Sequence, residues 1–241
     1  IMKNIILLLL ILLTGVSYSQ GIYNPSTAPQ AKLSDSLAMV IARLDPNSSD
    51  NTALLQAAIQ LADDRNVPVW MVPGKYIVDD INCPDSTIIY GNSSTLIYKA
   101  GESVNMFTVA SNSRFINIQF DGGSYTYTAG TSQGSRTGIN AVGTGIRLEG
   151  CTITGFSRYG ISGSIGLNRN YIINCDVIAN YIGFYPFAGS EYWQVNGGVF
   201  MNCKWGVINR GGNNKYNGVH FNYNVYGVQV ENGSNDSHGL F

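Results

Sequence analysis

Few side chains in the second half of this sequence could move a proton. Between residues 112 and 241 the carboxylates are Asp121, Glu149, Asp176, Glu191, Glu231 and Asp236, and none is adjacent to another. Hydrolysis of a glycosidic bond uses two carboxyl groups that flank it. Proton abstraction next to a carboxylate uses a base and a means of stabilising the carbanion, often calcium held by carboxylates. His220 can act as an acid or base near neutral pH. Arg158 and Lys204 each stand two residues before a glycine, Gly160 and Gly206, and are candidates for a base, with Arg147 and Arg210 behind them. Tyr185, Phe187, Tyr192 and Trp193 cluster after Gly183. Exposed rings pack against the apolar faces of sugars, while the Tyr hydroxyl and Trp N–H find polar partners. Each residue also has a plainer reading: basic residues and His220 as solvated surface, Phe187 and Trp193 as cover for an apolar flank.

These residues lie on a repeat. Gly160, Gly183, Gly206 and Gly227 are spaced 23, 23 and 21, and each is followed by a β-former: Ile161, Phe184, Val207 and Val228. Three follow an aromatic: Tyr159, Trp205 and Tyr226. Ahead of each lies a short alternating run, and alternate residues of a strand share a face. The alternation predicts that Ile153, Val177, Val199 and Val219, with Gly155, Ala179, Met201 and Phe221, point inward. Thr154, Ile178, Phe200 and His220 then point outward. Arg158 and Lys204 fall in one column two coils apart. A period near 22 with short strands is a solenoid signature. There is no leucine ladder for a leucine-rich repeat, and helical repeats need a longer period. The pattern predicts an all-β, single-stranded, right-handed parallel β-helix. Asparagines at one turn, Asn180 with Asn202 and with Asn222 or Asn224, then pass hydrogen bonds from coil to coil. Cys151 and Cys175 stack in neighbouring coils, as free thiols or as a disulfide.

Composition agrees with such a fold and narrows the partners. The 241 residues include 28 Gly, 25 Asn and 15 Tyr, only 12% are charged, and the formal net charge is -1. A disordered chain would have few aromatics and high charge. With no basic excess to neutralise phosphates, nucleic acid is not an expected partner. Residues 1–19 have the parts of a secretory signal peptide: Lys3, the apolar run Ile5 to Leu13, and small residues at Ser17 and Ser19. The run is short for a membrane span, so the expectation is a secreted, periplasmic or cell-surface protein with no membrane segment after cleavage. Residues 20–44 read as a linker with a short helix on Leu33, Leu37, Val40, Ile41 and Leu44. Residues 45–80 read as an N-terminal cap whose helix, over 52 to 63, starts at Asp50 or Thr52 and plugs the solenoid's open end. Residues 81–241 read as the β-helix. The chain ends at Gly239-Leu240-Phe241 without a polar closing element, which predicts a C-terminal truncation.

The order Asp50-Asn51-Thr52-Ala53-Leu54, Gln56-Ala57-Ala58-Ile59, then Val69 and Val72-Pro73-Gly74-Lys75-Tyr76 resembles the N-terminal cap of the pectate-lyase superfamily, a cap that phage tailspikes share. The later pattern of β-run, Asn and aromatic-Gly-Ile/Val resembles that superfamily's coil, over roughly residues 45 to 241. The resemblance implies a right-handed parallel β-helix and polysaccharide as partner. It implies three activities in order: a pectate-lyase-like enzyme on acidic glycan, with calcium as its cofactor; a non-catalytic glycan-binding or cell-surface module; and a polygalacturonase-like hydrolase. Asn174-Cys175-Asp176 matches the Asn-x-Asp of those hydrolases, which makes Asp176 the candidate acid or base. The Asp-Asp expected one coil on is Gly197-Gly198, and the Gly-His-Gly place holds Gly218-Val219-His220. A tailspike is a further reading, which a signal peptide opposes. The candidate catalytic residues are therefore Asp176, His220, Arg158 and Lys204. The candidate sugar contacts are Tyr185, Tyr192 and Trp193.

Overall fold

β-formers in runs of three to five, broken by glycine and asparagine, cannot build long strands, and the strands here are short. The computed structural model describes residues 38–99, 104–123, 125 and 133–231. The proposed signal peptide and most of the linker lie outside the described residues.

The chain is a single-stranded, right-handed parallel β-helix of about seven coils. Each coil contributes to three strand columns. The first coil uses β2 (Val69–Met71), β3 (Lys75–Val78) and β4 (Ile81–Cys83). In the second and third, the first two columns share one strand, β5 (Ile88–Tyr98) and β7 (Arg114–Asp121), followed by β6 (Asn105–Val109) and β8 (Thr137–Ala141). The fourth coil holds β9 (Arg147–Glu149), β10 (Thr152–Thr154) and β11 (Tyr159–Gly163). The fifth holds β12 (Tyr171–Ile173), β13 (Asp176–Ile178) and β14 (Ile182–Pro186). The sixth holds β15 (Gln194–Asn196), β16 (Val199–Met201) and β17 (Trp205–Asn209). The seventh holds β18 (Lys215–Asn217), β19 (His220–Asn222) and β20 (Tyr226–Val230). The first two columns join in one sheet and the third forms a second, seven-stranded sheet, all in parallel register.

Of the short helix expected on Leu33, Leu37, Val40, Ile41 and Leu44, the first two residues lie outside the described residues and the rest is not helical. Val40–Ala42 is a strand, β1, which pairs in parallel with β2 and buries Val40 and Ala42. Its alternating burial, not a helical stripe, satisfies the apolar residues. The second helix, α1 (Thr52–Arg65), forms and buries Leu55, Ala58, Ile59 and Ala62; its N-cap is Asn51, not Asp50 or Thr52, and Asn51 makes no side-chain cap bond. Asp50 accepts the Thr52 N–H at 2.8 Å, which satisfies a donor that the first turn leaves open. Asn66 ends the helix in the left-handed conformation.

The interior holds one residue per strand in the second column: Phe120, Ile153, Val177, Phe200 and Phe221. The expected inward set is thus right at Ile153, Val177 and Phe221 and one residue out in the sixth coil, where Phe200 replaces Val199; Val219 also packs against the core. A three-residue strand has only its centre inside, so alternation cannot choose between two adjacent apolar residues. Gly155, Ala179, Asn202 and Tyr223 follow these strands with φ of 78°, 55°, 57° and 52°. The chain turns in the left-handed region at Gly155 and Ala179, so these do not continue an inward face, and Met201, next to the inward Phe200 in its strand, points outward.

The repeated glycine has a different cause. At Gly183 a Cβ would lie 2.5 Å from the Gly206 carbonyl oxygen, 3.0 Å from Phe200 and 3.2 Å from Val177. Gly138, Gly160 and Gly206 are crowded in the same way. Glycine recurs because the carbonyl oxygen of the next coil's glycine stands where a Cβ would be, with an aromatic also close at Gly138, Gly183 and Gly206 and Asn180 at Gly160.

Asparagine side chains bind coil to coil, Asn170, Asn180 and Asn214 buried and Asn224 half-buried. Asn180 accepts the Phe156 N–H at 2.9 Å and donates to the Ile153 carbonyl at 3.0 Å. Asn224 does the same two coils on, with the Cys203 N–H and the Phe200 carbonyl. Asn202 is instead an exposed turn residue. A second column places Asn170 against the Ile146 N–H and Asn214 against the Trp193 N–H.

Candidate functional site

The sequence candidates separate onto two outer surfaces. The first surface is the outside of the second strand column. The register aligns Thr152, Asp176, Val199 and His220 there, so Asp176 and His220 share a column two coils apart, ~9.6 Å at the strand spacing of a sheet. Both are exposed. Val199 lies between them. The neighbouring outward column is Thr154, Ile178, Met201 and Asn222. Asp121 heads that neighbouring column, in line with Thr154 and two coils from the level of Asp176, and no carboxylate stands beside Asp176 in its own column. Among the described residues, no three of His, Cys, Asp or Glu come together to hold a metal ion. The calcium expectation therefore finds no ligand set there.

The second surface is the outside of the third column. Tyr159, Ile182, Trp205 and Tyr226 align in one row, and Ser162, Tyr185 and Ile208 in another. Tyr159 and Tyr185 stack with centroids 4.7 Å apart and planes 2° apart. Phe187 meets both edge-on, at 6.2 and 4.6 Å. Tyr181 meets Trp205 edge-on at 5.4 Å, and Trp205 stacks on Tyr226 at 5.5 Å. The rings form a small apolar cluster of their own, separate from the main core.

Cations cover this cluster. The Arg158 guanidinium sits 4.7 Å from the Tyr159 ring centre. Lys204 Nζ lies 4.2 Å from the Trp205 ring and 4.9 Å from the Tyr181 ring, and it donates to the Tyr181 hydroxyl at 2.9 Å. Arg210 lies 5.4 Å from the Tyr185 ring and pairs with Glu231. A cation above an aromatic face is held by the ring's quadrupole, and the long aliphatic stems cover apolar surface while the heads stay in water. Burial pushes the Tyr185 phenol above its ordinary value, against the pull of Arg210, so the hydroxyl is protonated at neutral pH. Trp205 Nε1 is buried with no hydrogen-bond partner.

The expected column of Arg158 and Lys204 is real: the register sets Arg158, Tyr181 and Lys204 in line, one coil apart each. Arg147 is taken up otherwise, pairing with Glu149 at 3.4 Å and lying 4.8 Å from the Tyr171 ring. The aromatic loop after Gly183 divides. Trp193 is 0% exposed; it packs on Phe184 at 4.8 Å and donates Nε1–H to Ser190 at 2.7 Å. It is a core residue and cannot meet a sugar. Tyr192, its neighbour, is 49% exposed. Tyr185 is 6% exposed, so it supports the surface more than it forms it. Sequence reasoning placed Tyr159, Trp205 and Tyr226 in the repeat alone and missed Tyr181. The signal for Tyr181 was available: it stands at the same offset from its glycine, Gly183, as Arg158 and Lys204 do from theirs.

No family model and no curated protein matches the chain. Among solved structures, the chain is similar to the Dettilon tailspike protein, with a TM-score of 0.60 at 12% identity. The match covers 80% of this chain and 46% of that one, so the chain spans under half the length of the structure it resembles. At this identity the likeness establishes the parallel β-helix. The pectate-lyase superfamily remains a resemblance of sequence.

Proposed function

We propose that this protein is a secreted β-helix module that binds acidic polysaccharide along the outside of its third strand column. The observation that carries the reading is the set of cations seated over rings: Arg158, Lys204 and Arg210 on a base of Tyr159, Tyr181, Tyr185 and Trp205. Stacked tyrosines hold the cation stems, and Arg and Lys heads bond carboxylates through charge-assisted hydrogen bonds. Arg158 and Lys204, in register two coils apart, suit a ligand with repeating charge. The resemblance to the pectate-lyase superfamily supports polysaccharide as the partner, and the leader-like residues 1–19 support action outside the cell.

Retention of the full chain on immobilised polyuronate, against a neutral glucan, tests this reading. Retention that is lost in the Arg158→Gln/Lys204→Gln double variant, and that weakens steeply with salt, is expected. Equal retention of the double variant would defeat it.

A catalytic reading rests on the alignment of Asp176 with His220 across Val199. Either a lyase or a hydrolase would show itself with the same polysaccharides, through uronide absorbance or new reducing ends, with and without calcium. Activity that survives in both Asp176→Asn and His220→Gln would remove this alternative.

A further inference from the structure

Cys151 and Cys175 occupy the same place in the fourth and fifth coils. Each immediately precedes a strand of the second column, and the pairing of Thr152 with Asp176 puts them opposite each other. The Asp176 N–H donates to the Cys151 carbonyl at 2.9 Å, which locks that register. Adjacent strands of a sheet lie about 4.8 Å apart, inside the Cα separation of about 4.4–6.8 Å that a disulfide tolerates. Both thiols are free, buried and hydrogen-bonded to each other. Their other contacts are backbone carbonyls: Phe115 and Glu149 for Cys151, at 3.5 and 3.6 Å, and Leu148 and Ile173 for Cys175, both at 3.4 Å.

No third thiol competes. The next position in the column is Gly198, where a Cβ would fall 2.1 Å from the Cys175 carbonyl oxygen. Cys203 sits one turn away, in the column of Asn180, with its own contact to the Val177 carbonyl. Cys83 belongs to the first coil. The pair is thus isolated by the geometry of the coil.

We propose that Cys151 and Cys175 are a redox pair that closes to a disulfide and staples the fourth coil to the fifth, by exchange with an organic disulfide. Cys151 thiolate attacks the organic disulfide and expels one thiolate. Cys175 then loses its proton and attacks the Cys151 sulfur, which expels the second. Two protein thiols are oxidised, one organic disulfide becomes two thiols, and the two protons leave with them. Because both sulfurs are buried in the closed coil, the exchange belongs to folding, before the coils pack.

The test is to unfold and reduce the full chain, then refold it in mixtures of reduced and oxidised glutathione. Alkylation, digestion and mass spectrometry follow. One linked peptide, Cys151 to Cys175, is expected, with Cys83 and Cys203 alkylated. The melting temperature should rise by roughly 5–10 °C relative to the reduced protein, as expected for closing a loop of this size. Four alkylated thiols at every glutathione ratio would overturn the proposal, and so would links that scatter onto Cys83 or Cys203. The Cys151→Ala/Cys175→Ala variant should melt at one temperature in all mixtures. A glutathione-dependent rise that persists in it would equally defeat the assignment.

Discussion

The outside of the third strand column and the outside of the second are built on the same coils, from strands of similar length, yet they are unlike. On the second, Asp176 and His220 stand free in a plain row with Thr152 and Val199. On the third, almost every outward side chain touches another: rings stack on rings and cations lie over them. Reactive residue types alone do not make a site. What distinguishes a surface that can hold a ligand's charge is that its side chains are already immobilised, so little rotamer entropy is lost on contact. The contrast also separates two neighbours in one loop, Trp193 turned into the core and Tyr192 turned out.

That last difference gives the largest expected effect. Trp193→Ala should destabilise the fold by about 3–5 kcal/mol, since it empties a fully buried site. Tyr192→Ala should stay within about 0.5 kcal/mol. Denaturant midpoints decide it, and similar midpoints for the two would erase the inside–outside distinction. Next in size is Asn180→Ala, which strands the buried Phe156 N–H and Ile153 carbonyl. A loss of about 2–3 kcal/mol is expected. Asn202→Ala, at the exposed turn, tests whether burial rather than residue type matters; a loss as large as that of Asn180 would contradict the assignment. A smaller effect falls on the two surfaces themselves. Tyr185→Leu keeps bulk but removes the stack under Tyr159 and the ring under Arg210. It should weaken polyuronate retention several-fold, whereas Asp176→Asn should leave retention unchanged. The reverse outcome would move the binding surface to the second column. The smallest effect is at the cap. The Asp50 carboxyl is held below its ordinary value by the Thr52 side chain, with a further contribution from Lys99, against some burial. A depressed carboxylate stabilises the fold above its unfolded pKa of about 4 and loses that contribution as pH falls through the folded value. Asp50→Asn should flatten the acid side of the thermal-melt profile slightly; an unchanged profile would mean that the cap contributes nothing.

Much of the fold was legible in the sequence because one constraint repeats. The glycine of the third to sixth coils is forced by the carbonyl of the next coil's glycine, and its spacing counts the coils directly. The cysteine stack and the Arg158–Lys204 column followed from the same count. What failed did so where a three-residue strand leaves alternation nothing to measure: Val199 against Phe200. The strand at Val40–Ala42 was hidden because its partner, Val69–Met71, is remote and its apolar residues fit a helical spacing equally well. The aromatic–cation surface was only half visible. Its members are scattered over four coils, and which ring lies under which cation depends on the loops that set the register.

The asparagines that bind coil to coil have a consequence for how this solenoid comes apart. Asn170 and Asn180 both belong to the fifth coil and bond back to the fourth. Asn214 and Asn224 both belong to the seventh and bond back to the sixth. Across the seam between the fifth and sixth coils Asn180 meets the Cys203 thiol, but among the described residues no asparagine bonds both an N–H and a carbonyl there. The fourth coil is thus clasped to the fifth and the sixth to the seventh, and under a pulling force these four coils should part first at the seam between the two pairs.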